Sequence, residues 1–225
     1  MDTGPDTSLH PVEIRVLGSL VEKQITTPDY YPLTLNALVN ACNQSSNRDP
    51  VLSLDEHTVV RALDGLRERK FAFQFQGADS RVPKYGHRLG DAFQVTPPEM
   101  AALCVLMLRG PQTVGEVRSR TGRMYEFESL AEAQAALDGL AAFTPQPLAV
   151  RLPRQPGMKE ERYAQLLGGP VATQAQAREA RVEPATVAVR LENERLDKLE
   201  REVAALRSEL ETAKAQLEVL RKQFE

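Results

Sequence analysis

The stretch Thr96-Pro-Pro-Glu-Met-Ala-Ala-Leu-Cys-Val-Leu-Met-Leu-Arg-Gly-Pro111 decides how this chain folds. It begins with a capping box, in which a threonine hydroxyl accepts a hydrogen bond from the backbone N–H three residues on and the glutamate there reaches back. The Gly110-Pro111 pair ends helices, so the stretch predicts a helix over 97–109. The same Ser/Thr-x-x-Glu pattern predicts further helix starts at Ser53, Thr113 and Ser129.

An earlier part of the chain repeats this helix. A shift of 86 positions places Glu13 on Glu99, Leu17 on Leu103, Leu20 on Leu106 and Lys23 on Arg109. The chain therefore contains two similar modules, each near the lower size limit for an independent core. We expect the modules to pack on each other or on a partner.

The first module has the periodicity of three helices followed by a β-hairpin. Apolar residues at helical spacing predict an amphipathic first helix over 11–24, and the Ser53 capping box opens the third. After Lys70 the period changes to two, which is typical of a strand. The remaining elements are a second helix ending at Cys42, an amide-rich loop over 43–50, strands over 71–76 and 81–85, and a turn over 77–80.

The second module follows the same order. Its first helix is the one over 97–109. Its other predicted elements are a helix from Thr113 to about Gly122, a helix from Ser129 to about Phe143, a strand over 148–152, a loop over 154–159 and a returning strand over 161–166. Three helices and then a hairpin is the order of a winged helix-turn-helix.

The predicted fold class is α+β, mainly helical, with tandem winged helix-turn-helix domains followed by a C-terminal coiled-coil helix. Composition changes at both ends, since the N-terminus is short and acidic and the residues after Gly168-Gly-Pro170 are rich in Ala, Gln and Glu. We predict a disordered tail over 1–8, winged-helix domains over 9–92 and 93–168, a linker over 169–186 and a coiled coil over 187–225.

The last segment carries an apolar residue every seven positions and a second such series three positions later. This is the a/d pattern of a coiled coil. A leucine seam of this length is costly to leave in water, so we expect homo-oligomers joined through Leu196, Leu199, Val203, Leu206, Leu210, Leu217 and Leu220. The alternative is a single long helix lying across the modules, and the sequence leaves the strand orientation open.

Five motifs give the chain a family resemblance. They are Glu22-Lys-Gln-Ile-Thr-Thr-Pro28, Tyr31-Pro-Leu33, Ala41-Cys-Asn-Gln44, Asn47-Arg48 and Arg123-Met-Tyr-Glu-Phe127. With the paired modules, they make residues 9–167 resemble the YceH family of uncharacterised bacterial proteins. The resemblance implies tandem winged-helix domains in a bacterial cytoplasm and no established activity. The chain departs from the family at His10, where a helix-capping threonine is more usual.

Composition narrows the class of function. The formal net charge is −3, whereas a strong general nucleic-acid binder is strongly basic, so any DNA contact must come from a local patch. Cys42 and Cys104 lie in apolar helical stretches and are expected to be buried reduced thiols. The three histidines follow no ligand spacing, and we expect no metal site and no cofactor.

Catalytic motifs are missing from the sequence. It has no Gly-rich phosphate loop, no GxSxG elbow, no HExxH and no Cys-x-x-Cys pair. Helix capping explains many of the glutamates, so we predict a protein that is not an enzyme and has no catalytic residue. No apolar run approaches the ~20 residues of a membrane-spanning helix, and we expect a cytoplasmic location with no membrane contact.

The first module offers a candidate DNA-binding surface. In a helix-turn-helix the N-terminal residues of the third helix reach base edges, while loop and wing residues contact phosphates. On this basis the candidates are Asn43, Gln44, Asn47, Arg48, His57, Thr58, Arg61, Arg81, Lys84 and Arg88. The alternative is a polar loop whose amides cap helices, with arginines on a solvated face.

The second module has a different character. Its third helix contains no Lys or Arg and six alanines between Ser129 and Phe143, which favours close helix packing over entry into a DNA groove. Arg118, Arg120 and Arg123 are expected to favour a helix C-terminus. The aromatic stretch over 123–127 either closes the core or anchors a partner. The first functional hypothesis is a dimeric DNA-associated regulator, and the second is a scaffold that binds partner proteins.

Overall fold

The computed structural model describes residues 8–76, 82–154 and 157–170. The predicted coiled coil, most of the predicted linker, residues 1–7 and the predicted turn over 77–80 lie outside these ranges. The described part is a mixed α and β structure of seven α-helices and two small antiparallel sheets.

The first module contains three main helices and a three-stranded sheet. Its sheet has the antiparallel order β1-β3-β2, with Leu33 opposite Tyr85 and Phe73 opposite Gly86. The second strand begins later than predicted, after Pro83. In chain order the elements are α1 (Pro11–Thr26), a 3-10 turn (Pro28–Tyr30), β1 (Leu33–Thr34), α2 (Leu35–Cys42), α3 (Glu56–Glu68), β2 (Ala72–Phe75), β3 (Lys84–His87) and the short α4 (Leu89–Ala92).

The second module repeats this order. Its hairpin pairs Ala149 with Gln165 and Leu152 with Arg162. An isolated bridge between Gln112 and Tyr163 corresponds to the pairing of β1 with β3. Like β1, Gln112 comes just before a helix that a threonine caps, and its partner lies in the last strand of the module. The elements are α5 (Pro97–Arg109), α6 (Val114–Thr121), α7 (Leu130–Ala141), β4 (Ala149–Leu152) and β5 (Arg162–Gln165).

Helix capping was partly predictable. The boxes at Thr96 and Thr113 are confirmed, and Ser129 caps α7 by accepting from the Glu132 N–H at 3.1 Å. The start predicted at Ser53 is wrong: Asp55 caps α3 by accepting from the Thr58 N–H at 2.7 Å. His10 caps α1, with Nδ1 accepting from the Val12 N–H at 3.3 Å.

Two central helices hold the modules together. Every residue of α1 from Glu13 to Glu22 and every residue of α5 from Ala101 to Leu108 is buried. A helix buried on all sides lies inside a protein, so the prediction of an amphipathic first helix is wrong. One apolar core includes residues of both modules, as expected from their small size.

One contact between these helices joins matching positions of the repeat. The Cys104 thiol donates to the carbonyl of Gly18 at 3.4 Å, and the 86-position shift aligns these two residues. A Cβ on Gly18 would lie 3.0 Å from Cδ2 of Leu108, so the missing side chain lets the helices approach. Equivalent residues that meet one another are characteristic of a twofold-symmetric contact.

Candidate nucleic-acid interface

The loop between α2 and α3 begins with a structural asparagine. Asn43 donates from Nδ2 to the Leu54 carbonyl and accepts at Oδ1 from the Leu54 N–H, both at 2.8 Å. These two bonds use the amide in the manner of a backbone pairing and fix the end of the loop to its beginning. Asn43 is therefore occupied in holding the loop closed rather than in reaching for a base.

Arg48 is the clearest correction to the predicted DNA-binding set. Its side chain is fully buried, and its two terminal nitrogens donate to Oε1 and Oε2 of Glu22 at 3.1 and 2.6 Å. Its Nε and Nη2 also donate to the Ala41 carbonyl, at 3.1 and 2.8 Å. A buried, paired guanidinium cannot meet DNA phosphate, so Arg48 leaves the candidate surface.

The remaining amides of this loop also make internal contacts. Gln44, half-buried, accepts at Oε1 from Arg48 at 3.1 Å. Asn47 is exposed but accepts at Oδ1 from Arg109 of the second module at 2.9 Å. Its φ of 57° lies in the left-handed region, which asparagine tolerates better than most residues. The amide-rich loop thus links the two modules.

Arg15 and Glu22 were not found from the sequence. Arg15 is buried beneath the same loop and donates to the carbonyls of Cys42 at 3.2 Å and Pro50 at 2.7 Å. Burial, followed by the nearby Arg48 charge, lowers its pKa. The available signal was two charged residues seven positions apart, hence on one face of a helix whose central residues are mostly apolar.

Helix α3 presents two candidate side chains to solvent. Val59, Ala62, Leu63 and Leu66 form its buried face, so helical spacing puts His57 and Arg61 on the opposite side, and both are exposed. Thr58 is half-buried. The same outer face carries the exposed Asp64 and Glu68, so its charge is mixed.

The hairpin of the first module contributes two cations. Arg88 is exposed, with its guanidinium carbon 5.5 Å from the centroid of the Phe73 ring. Lys84 begins β3 and is half-buried. Arg81 lies outside the described residues. Of the ten candidates, His57, Arg61 and Lys84 make no hydrogen bond or ion pair through their side chains within the described part, whereas Thr58 hydrogen-bonds Asp55 and Arg88 lies over the Phe73 ring.

His87 at the end of β3 is buried and neutral. Its backbone N–H donates to the Tyr31 hydroxyl at 2.6 Å, and its Nδ1 accepts from the Leu89 N–H at 3.1 Å. Burial lowers the pKa of His87 to about 4, against an opposing effect of Asp91. Burial likewise raises the pKa of Tyr31 to about 12. These groups stabilise the hairpin and do not act at the surface.

The second module differs at the equivalent surface. Ala131, Ala135 and Ala142 are exposed on the outer side of α7 or just after its end. Beside them lies an open groove of about 720 Å³ between α6, α7 and the hairpin. Leu130 at its edge is 53% exposed, a high value for a leucine.

Two arginines in the last turn of α6 are followed by Arg123 and an aromatic stretch. Arg118 donates to the carbonyls of Phe127 and Glu128, at 3.3 and 3.2 Å, and Arg120 donates to Gln112. Phe127 is buried and Tyr125 donates to Glu132 at 2.6 Å, so this stretch closes the core of the second module.

Within residues 8–76, 82–154 and 157–170, no group of three His, Cys, Asp or Glu side chains is placed to hold a metal ion. Cys42 and Cys104 are buried free thiols, as predicted. None of the helices in the described ranges is both long and apolar enough to cross a membrane. The predicted oligomerisation residues between 196 and 220 lie outside those ranges.

Comparison with known proteins adds a consistent set of relatives. Residues 9–158 match the family described as protein of unknown function, DUF480. The chain is 57% identical over 199 residues to a UPF0502 protein of Opitutus terrae, covering 88% of this chain and 83% of the relative. It is 53% identical over 218 residues to one from Geobacter sulfurreducens, covering 96% and 98%. A Geobacter metallireducens relative is 51% identical over 220 residues, covering 98% and 100%.

Proposed function

The chain belongs to the DUF480 family of unknown function, and we propose that it is a dimeric, DNA-associated regulatory protein of the bacterial cytoplasm. The prediction of an uncharacterised bacterial family is confirmed by the UPF0502 relatives. The finer assignment to YceH-like proteins is part of the proposal. In it the first module contacts DNA, the second supports the first, and neither performs catalysis.

The recurring order of elements supports a tandem winged-helix architecture. Each module has three helices and an antiparallel hairpin, and in each a short pairing joins the residue before the second helix to the last strand. In such a domain the third helix and the hairpin form the DNA-reading side. This recurrence is the observation that carries the proposal.

The first module supplies the contacts. In this proposal the exposed His57 and Arg61 on the outer face of α3 contact base edges, and Lys84 on β3 and Arg88 just after it contact phosphates. Asp64 and Glu68 share the face with Arg61, so the attraction is local and weak. We therefore expect modest affinity for each protomer.

Dimerisation would raise this affinity. The heptad pattern over 187–225 favours self-association, which would place two readers on neighbouring half-sites. A truncation ending at Gly169 is expected to lower the molecular mass in light scattering to that of a monomer. An unchanged oligomeric mass would show that the heptad segment does not join the protomers.

A fluorescent-duplex titration at about 50 and 200 mM salt tests DNA binding. We expect affinity to fall by on the order of tenfold or more at the higher salt. Arg61→Ala and Arg88→Ala should each weaken binding by about 1–3 kcal/mol. Arg154→Ala is the matched control, because Arg154 is an exposed arginine on the other module's hairpin. Equal affinity of all three variants would reject this surface.

A second candidate function is a protein-binding scaffold. It is favoured by the exposed alanines of α7 and by the adjoining groove with its exposed Leu130. Small residues allow a partner helix to approach closely, and an exposed apolar edge is typical of a docking site. Ala135→Arg should abolish recovery of a stoichiometric partner in a pull-down while leaving DNA binding unchanged. Loss of DNA binding in that variant would contradict the separation of roles.

A further inference from the structure

A small cleft lies where the two modules meet, away from the outer face of α3. The C-terminal halves of α1 and α5 form two of its walls, and the loop residue Asn47 forms a third. Arginines from three places in the second module line it: Arg109 at the end of α5, Arg120 on α6 and Arg123 after α6. We call this site, which Arg109, Arg120 and Arg123 line, the arginine cleft.

The donors in the arginine cleft are incompletely satisfied. Arg109 donates from Nη1 to Oδ1 of Asn47, but its Nε is buried and has no acceptor among the described residues. Arg123 is exposed and has no hydrogen bond or ion pair within the described ranges. Buried N–H donors in folded proteins nearly always have a partner, so the Arg109 Nε requires an acceptor from outside the protein, which is either a water or an anion.

The nearby carboxylates neutralise these arginines only in part. Glu22, the carboxylate that lines the cleft, is taken up by Arg48, and Glu116 is shared between Arg120 and Arg162. Burial lowers the pKa of Arg109, and the neighbouring Arg120 charge lowers it further, while Asp49 and Glu116 oppose both effects. Positive charge is therefore crowded at this position.

The negative ends of helix dipoles offer a simpler explanation for why arginines gather at this cleft. Arg109 and Arg120 lie in the last turns of α5 and α6, where cations are favourable. This accounts for the presence of charge. It does not account for an Nε–H that is buried without an acceptor, nor for Arg123 lining the same cleft beyond the end of α6.

We propose that the arginine cleft binds a dianionic phosphoryl group of a small molecule. Guanidinium forks match the oxygens of phosphate in size and geometry, and two or three of them surround such a group in proteins. The free space is only about 20 Å³. This holds about one water-sized atom, so one phosphoryl oxygen enters and the rest of the phosphate, with whatever carries it, stays at the mouth. Because the site draws on both modules, the ligand ties them together.

Thermal unfolding of the full-length chain tests the site, with inorganic phosphate and phenyl phosphate as probes. At constant ionic strength set with NaCl, both are expected to raise the melting temperature in a saturable manner. Dimethyl phosphate carries one charge and should bind at least about tenfold more weakly, a difference of about 1.4 kcal/mol. Equal binding of the monoanion and the dianion would overturn the assignment.

Two variants locate the binding. Arg123→Gln removes an exposed side chain without a partner in the described part, so it should fold normally and weaken phosphate binding by about tenfold. Arg67→Gln is the control, since Arg67 is an exposed arginine on α3 that pairs with Asp64. Equal phosphate affinity in the two variants, or no rise beyond that in NaCl, would overturn the proposal. It stands or falls independently of DNA binding.

Discussion

The carboxylate of Glu13 on α1 lies directly over Gly65 on α3. Its Oε2 accepts from the His10 N–H at 2.7 Å and its Oε1 accepts from Arg69 at 2.6 Å, so one side chain joins a helix cap to the end of another helix. A Cβ on Gly65 would overlap Oε1. The second module repeats the relationship, because Glu99 caps α5 and lies over Gly139 of α7.

Gly65→Ala should therefore destabilise the protein despite improving helix propensity. The methyl group displaces Glu13, which costs a capping bond and an ion pair, and we expect a net loss of about 1 kcal/mol in the free energy of unfolding. In a Glu13→Ala background the same change should stabilise by about 0.5–1 kcal/mol. Urea unfolding of the four proteins measures this coupling, and additive effects would contradict it.

Gly18→Ala tests the crossing of the two central helices. The new Cβ would lie 3.0 Å from Cδ2 of Leu108 and 3.1 Å from Cβ of Met107, which are held in the core. We expect overpacking to lower the free energy of unfolding by about 1–3 kcal/mol. Gly115→Ala on α6 is the control, since its Cβ would meet only Thr113 Oγ1 at 4.0 Å. A similar stability for both variants would show that the crossing of α1 and α5 has room for the added methyl group.

Arg48→Met tests whether Arg48 is structural. It leaves the Glu22 carboxylate buried and uncompensated, so we expect a loss of about 3–5 kcal/mol by chemical denaturation. The double variant Glu22→Leu, Arg48→Met should lose less than Arg48→Met alone. Arg67→Met, which breaks an exposed pair with Asp64, should cost under about 1 kcal/mol. A fully stable Arg48→Met would instead return Arg48 to the candidate DNA surface.

Stability should fall in mild acid because of His87. Its pKa is about 4 in the folded protein and about 6.5 when unfolded, so the folded state favours the neutral ring. This contribution is complete above pH 6.5 and is lost as the pH falls from 6.5 towards 4, by on the order of 3 kcal/mol in total. His87→Gln should flatten the unfolding free energy over that window, whereas His57→Gln, at an exposed position, should not. Parallel pH profiles for wild type and His87→Gln would contradict the assignment.

The predictable part of the structure is local. The caps at Thr96, Thr113 and Ser129 join groups three residues apart, so a short motif specifies them. The change of period after Lys70 likewise gave the strand β2, since alternation reflects which side of one strand is covered. The start predicted at Ser53 failed because Asp55, two residues further on, caps the helix by accepting from the Thr58 N–H.

The sequence by itself determined the two modules, most of their helix starts and the presence of a hairpin in each. The tertiary structure decided which charges are buried: Arg48 meets Glu22 across 26 residues, and Asn47 meets Arg109 across 62. It also decided that Gly18 lies on Cys104, its own counterpart in the repeat. Motifs encode bonds within one turn of a helix, whereas burial depends on which distant segment covers a side chain, and only the packed chain fixes that.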